Sequence, residues 1–233
     1  MSQVYLIPTV LAEDALDALP AYILPTVLRC AAFYVEDERT ARRYLKKLSR
    51  DIVIDNYKWV PIHKAEAPVL GEFRKDLAAG LTIGILSEAG CPGIADPGQL
   101  LVAAAQAAGV PVKPLVGPSS ILLALMASGL NGQLFRFNGY LPIDAADRLQ
   151  AIRRLEGESI STGCTQIFIE TPYRNGALFD TLVKACRPTT LLCIARDLTG
   201  PGELIRTLPV SAWKPAPDLH KIPVIFLLGT AVH

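Results

Sequence analysis

The chain is short of charge imbalance, of paired cysteines and of long apolar runs, and each shortage removes a class of function. Its 23 Lys and Arg against 22 Asp and Glu leave a formal net charge of +1, so no bulk basic excess attracts nucleic acid. Any RNA contact must come from a local patch. The cysteines, Cys30, Cys91, Cys164, Cys186 and Cys193, form no Cys-x-x-Cys pair and only three histidines accompany them, so they read as reduced, mostly core thiols and no metal is expected. No Gly-x-Gly-x-x-Gly follows the first apolar run and no Gly-x-x-x-x-Gly-Lys-Ser/Thr occurs anywhere, which removes support for dehydrogenase and kinase readings. A Gly-x-Ser-x-Gly elbow is missing too, and His63, His220 and His233 read as surface residues. The greasiest run, Ile121 to Ala127, falls far short of the roughly 18 apolar residues of a membrane span and reads as a buried helix. The N-terminus lacks the basic segment and apolar stretch of a signal peptide, so a cytoplasmic location without membrane attachment is expected.

What is present is a well-mixed globular composition, 51% hydrophobic and 19% charged, enough apolar surface to offset chain entropy. Val4 to Ile7 is a short apolar run stopped by Pro8, and Phe33-Tyr34-Val35 is another, ending at Glu36-Asp37. From Glu38 to Ser49 the spacing predicts a helix with Arg39, Arg43, Lys46 and Lys47 on one side and Ala41, Tyr44, Leu45 and Leu48 turned inward. Helix over Pro68–Gly80, strand over Leu81–Leu86, helix over Gln99–Ala108, strand over Val110–Val116 and a helix opened by Gly117-Pro-Ser-Ser120 follow. This alternation predicts an α/β fold with a mainly parallel first sheet. The turn-rich stretch around Gly129 to Gly132 marks a domain boundary, giving 1–132 and 133–233 as two α/β domains. The second carries a helix from Ala145 to Glu156, strands near Gln166–Ile169, Thr190–Ala195 and Val224–Leu228, and a strand Glu203–Thr207 suited to an antiparallel pair, so a mixed sheet.

Ligands of open α/β sheets bind beyond the carboxyl ends of the strands, which singles out the loops after the first, third and fourth predicted strands. Ser87-Glu-Ala-Gly-Cys-Pro-Gly-Ile-Ala-Asp-Pro-Gly98 brings main chain close to a ligand with little side-chain obstruction and carries two carboxylates, Glu88 and Asp96. Asp96 equally suits a cap for a helix starting at Pro97, as Asp37 suits a cap for its own helix, and Ser119 and Ser120 serve either a ligand or a helix start.

Taken together, these loops resemble the tetrapyrrole-methylase family, and within it the enzymes that 2′-O-methylate a cytidine of small-subunit ribosomal RNA. The likeness rests on Val35-Glu-Asp-Glu-Arg-Thr40, Ser87 to Gly98, Gly117-Pro-Ser-Ser120, Ala127-Ser-Gly-Leu130, Phe137-Asn-Gly-Tyr-Leu-Pro142, Glu170-Thr-Pro-Tyr-Arg174 and Ala195-Arg-Asp-Leu-Thr199, in order. The resemblance implies two α/β domains with S-adenosylmethionine in a cleft between them, a homodimer, and no metal. It implies cofactor contacts at Pro8, Ser87, Glu88, Ala89, Ser119, Ser120, Glu170 and Ala195. Asp37, Glu88 and Asp96 are candidates for the base that takes a hydroxyl proton, Asp37 the most appealing because it ends a strand beside a basic helix. Arg39, Arg43 and Lys47, extended by Arg148, Arg153, Arg154 and Arg174, are candidates for RNA phosphates, or simply solvated helix faces. The chain departs from the family where Pro8 is followed by Thr-Val-Leu-Ala-Glu instead of Thr-Pro-Ile-Gly-Asn, where Leu219-His-Lys-Ile-Pro-Val224 lacks the usual Lys-Gly-Glu, and in having no C-terminal extension. A small-molecule methyltransferase, such as one acting on a tetrapyrrole, and a non-catalytic S-adenosylmethionine-binding protein are the alternatives.

Overall fold

The computed structural model describes residues 2–62 and 66–230, so His63 and His233 lie outside the described residues. Two compact units follow one another along the chain, Met1–Ser119 and Ser120–His233. The first runs β1 (Gln3–Leu6), α1 (Ile23–Val27), β2 (Ala32–Val35), α2 (Glu38–Leu48), β3 (Lys58–Pro61), α3 (Leu70–Ala78), β4 (Thr82–Leu86), α4 (Gln99–Ala107), β5 (Val112–Pro114). Its sheet has the order β3-β2-β4-β1-β5 with every pair parallel. Residues Ala32 to Val35 are all fully buried, as befits a strand covered on both faces, and the pleat sorts them alternately. Phe33 and Val35 join the core under α2, while Ala32 and Tyr34 join Phe73, Leu77 and Leu101 from α3 and α4.

The helix of α2 starts where its sequence says it should. Asp37 accepts the Thr40 N–H at 2.7 Å, satisfying one of the helix's free donors, and Ala41, Tyr44 and Leu45 are buried. For α4 the expectation of an Asp96 cap is overturned. That helix begins at Gln99 after Gly98, and the Leu100 and Leu101 N–H groups donate to Glu66 Oε2 at 2.7 and 3.1 Å. A remote carboxylate has taken the cap, leaving Asp96 available for other work.

The second unit runs α5 (Ser120–Ser128), β6 (Phe135–Tyr140), α6 (Ala145–Thr162), β7 (Thr165–Ile169), α7 (Asn175–Ala185), β8 (Leu191–Arg196), β9 (Leu204–Pro209) and β10 (Val224–Gly229). Its sheet has the order β6-β7-β10-β8-β9, in which β6 and β7 are parallel and the other neighbours antiparallel. The sheet is mixed, as the Glu203–Thr207 pattern suggested. The central β10 is buried along its whole length and stacks Phe226 on Phe168 of β7 at 6.0 Å. Helix α5 belongs with this unit, since the Thr207 hydroxyl donates to Ser128 O at 2.6 Å and Leu130 closes on Gly229. The units therefore divide ahead of the turn-rich stretch ending at Gly132. The expectation that Ile121 to Ala127 is a buried helix holds for one side only: Ala124 and Leu125 are buried, Leu122 and Met126 are 51% and 79% exposed. An all-apolar helix offers no polar face from which burial can be read.

Candidate functional site

In a parallel sheet all carboxyl ends lie along one edge, so the segments following β1, β4 and β5 meet there. Main chain does the joining. Ile7 N–H donates to Ile85 O, Thr9 N–H to Gly90 O (both 2.9 Å), and the Thr9 hydroxyl to Ser87 O at 3.4 Å. The third loop arrives through Cys91, whose Sγ lies 3.4 Å from Pro118 O, and through Gly117. A Cβ on Gly117 would stand 2.2 Å from Pro8 Cβ, closer than real atoms come, so glycine is required for this approach. Helix α2 is tied in from the side: the buried Tyr44 hydroxyl donates to Pro8 O at 2.8 Å. Pro8, Ser87, Glu88 and Ala89, expected around one ligand, thus occupy one place, and Ser119 follows directly in the third loop.

Against these loops lies a cavity of about 260 Å³ lined by Thr9, Val10 and Leu11, by Thr40, Arg43, Tyr44 and Lys47 of α2, and by Ser87, Glu88 and Ala89. Two of the expected phosphate ligands, Arg43 and Lys47, wall it. Lys47 also donates to Glu13 Oε1 at 3.1 Å and to Asp14 Oδ1 at 3.3 Å. These are exposed ion pairs of the kind that contribute little and exchange readily. The substituted first loop, Thr-Val-Leu-Ala-Glu, is therefore what latches onto the basic helix.

The carboxylates at the strand ends differ in kind. Asp37 is spent on its cap: the Thr40 N–H, then the Thr40 hydroxyl, then Arg43 and Arg39 hold it below the usual carboxylate range. Asp96 is pushed up to about 6 by burial first, then by the negative charges of Glu36 and Glu88, against a hydrogen bond from Ser87. Glu88 is raised by burial, Glu36 and Asp37. Glu36 accepts the Glu88 N–H at 3.1 Å, so it both fixes the start of the loop and crowds its acids. Sequence reasoning passed over Glu36, Thr9 and Tyr44. Their roles depend on the β2–β4 register, which sets Val35 beside Leu86, and on which way α2 faces.

In the second unit, Glu170 is 5% exposed and accepts from Thr171 N–H at 2.7 Å and from the Arg174 guanidinium at 2.6 and 3.0 Å. Ala195 is buried in β8. Arg148 donates to the Thr181 hydroxyl and to Ile143 O, while Arg153 and Arg154 are exposed on α6.

No protein-family model matches the chain. Among curated proteins it is similar to ribosomal RNA small subunit methyltransferase I of Mesorhizobium japonicum, 30% identical over 229 residues, 95% of this chain and 72% of that protein. The Micromonospora olivasterospora protein of the same name is 34% identical over 85% of this chain and 60% of its own length. For the Vibrio cholerae protein of that name the figures are 37%, 58% and 46%, so the match spans under half of that relative. Among solved structures, the methyltransferase CobJ superposes with a TM-score of 0.65 at 17% identity over 99% of this chain and 94% of its own. A uroporphyrin-III-C-methyltransferase from Thermus thermophilus gives 0.57 at 17% identity, covering 98% and 92%. At such identity the likeness is one of fold.

Proposed function

The chain belongs to the ribosomal RNA small subunit methyltransferase I family, and from that premise we propose that it transfers a methyl group from S-adenosylmethionine to a ribose 2′-hydroxyl of small-subunit ribosomal RNA. The observation that carries this reading is the meeting of the three loops, two of which line a cavity with Glu88 and with the α2 cations Arg43 and Lys47. Glu88 and Asp96 fit a cationic cofactor, because burial and neighbouring negative charge raise the proton affinity of both, and a cation beside them relieves that crowding. When bound, S-adenosylmethionine supplies a methyl on a positively charged sulfonium, and its ammonium group adds a second cation.

Pro8, Ser87, Ala89 and Ser119 of the first unit offer main chain and hydroxyls for the rest of that molecule. Glu88, which lines the cavity, takes the hydroxyl proton; a base held above the ordinary carboxylate range is better matched to that task than Asp37. Arg43, Lys47 and Arg39 hold the RNA phosphates, and phosphate contacts set register without reading sequence. The protein works in the cytoplasm as a homodimer. The exposed Leu122 and Met126 of α5 and Leu134, Phe135 and Tyr140 at β6 supply apolar surface that a second copy would cover.

The test is to incubate the full chain with methyl-labelled S-adenosylmethionine and small ribosomal subunits from cells lacking its gene, then map the label. Label on one ribose supports the reading. Calorimetric cofactor binding with no label in the RNA overturns it and turns the search to small-molecule acceptors.

A further inference from the structure

The second unit carries a feature that the methyl-transfer site does not use. Tyr173 is 73% exposed although its backbone is held on both sides. The turn before it is fixed by Glu170, which accepts from Thr171 N–H and Arg174. The facing loop, which leads into β10, is lashed to that turn: Lys221 N–H donates to Pro172 O at 3.1 Å, and the fully buried Asn175 donates its amide to Ile222 O at 2.7 Å. Lys221 takes a left-handed conformation, φ +59°, that side-chain-bearing residues adopt uncommonly. The result places Lys221 Nζ 5.9 Å from the Tyr173 ring centroid and the His220 ring edge-on at 6.4 Å. Because β7 and β10 are antiparallel neighbours, the end of one and the start of the other bring these groups to the same edge of the sheet.

We propose that Tyr173 is a stacking platform for one unpaired RNA base, with Lys221 placed for the neighbouring phosphate. An exposed aromatic ring on a rigid turn, flanked by a cation and an imidazole, is what a splayed-out base uses, and every base offers a flat face. The Arg174 guanidinium beside the turn is already paired with Glu170, so it does not account for the arrangement. The inference rests on reading the chain as an RNA methyltransferase and extends the RNA contact from α2 to a second place.

The test is fluorescence anisotropy of the full chain with a labelled oligocytidylate of about 12 nucleotides. Tyr173→Ala weakens binding about 10-fold, by the same factor at low and high salt, whereas Tyr173→Phe stays within about twofold of wild type. Lys221→Met loses less and flattens the salt dependence by about one phosphate contact. Binding of an RNA duplex of the same length is untouched by Tyr173→Ala. Wild-type binding by Tyr173→Ala, an equal loss on the duplex, or a change in self-association without loss of RNA binding each overturns the proposal. Methyl transfer to small subunits is measured alongside. If Tyr173→Ala methylates them with unchanged KM, the platform fails and the function stands; if neither wild type nor any variant methylates them yet Tyr173→Ala still loses the single strand and keeps the duplex, the platform stands and the function fails.

Discussion

The carboxyl edge of the first sheet and the interior of the second unit treat carboxylates in opposite ways. In the second unit, whose strands are mostly antiparallel, buried acids are surrounded by donors: Glu156 receives the Arg187 N–H at 2.7 Å and the Thr190 hydroxyl, and Glu170 receives Thr171 and Arg174. In the first, all-parallel sheet, Glu88 and Asp96 gather at one edge beside Glu36, and burial together with that negative charge raises their hold on protons. Parallel strands bring loop ends together whether or not their charges agree, while antiparallel strands send successive ends to opposite edges. Satisfied acids are structural members; crowded ones store unfavourable charge that a cationic ligand relieves.

Removing the acid that faces the cavity should show the largest effect. Glu88→Gln keeps the shape and discards the base, and methyl transfer to small subunits falls by about 100-fold or more, within the span general-base catalysis supplies. Calorimetric affinity for S-adenosylmethionine changes far less, because Glu36 and Asp96 remain. A Glu88→Gln enzyme of full activity would remove the functional half of the comparison.

Next in size is a change on the satisfied side. Glu170→Ala strips a partly buried guanidinium of its partner and leaves the Thr171 N–H without an acceptor, costing about 2 to 4 kcal/mol in urea denaturation. Asp96→Asn should move the other way. A carboxyl held near 6 when folded and near 4 when unfolded penalises the folded state; the penalty is absent below pH 4, grows as pH rises to 6 and is complete above it. The variant is therefore more stable than wild type at pH 7.5, by about 1 to 3 kcal/mol, and equal to it at pH 4. Stability curves of the two variants across pH, if they shared one sign, would erase the distinction between the sheets.

How much of this was legible in advance follows from how local each signal is. The loop from Ser87 to Gly98 declares itself through glycine and proline, and the Asp37 cap through its place before a basic amphipathic run. Strand β3 was passed over because Lys-Trp-Val-Pro is short and ends in proline, and β6 because Arg136, Asn138 and Gly139 break its apolar pattern on a sheet edge. The Glu66 cap of α4 was invisible for a different reason. Its partners stand more than thirty residues away, so only the fold brings the carboxylate to the helix. Pairings set by register and by remote loops carry no local pattern; that is why Glu36 became a candidate only once β2 lay beside β4.

The smallest effect tests whether Asp37 belongs with the structural acids despite its place among the crowded ones. Its carboxylate is lowered by the Thr40 N–H, so its contribution to stability is present above the ordinary carboxylate range and disappears as pH falls through the depressed value. Asp37→Ala should cost about 1 kcal/mol at pH 7, and the difference from wild type should close in acid. Asp37→Asn or Asp37→Ser, which also cap, should recover most of it, and methyl transfer should follow the amount of folded protein. A loss of activity in Asp37→Ser beyond its loss of stability would instead place Asp37 with Glu88, as a group that acts on the substrate.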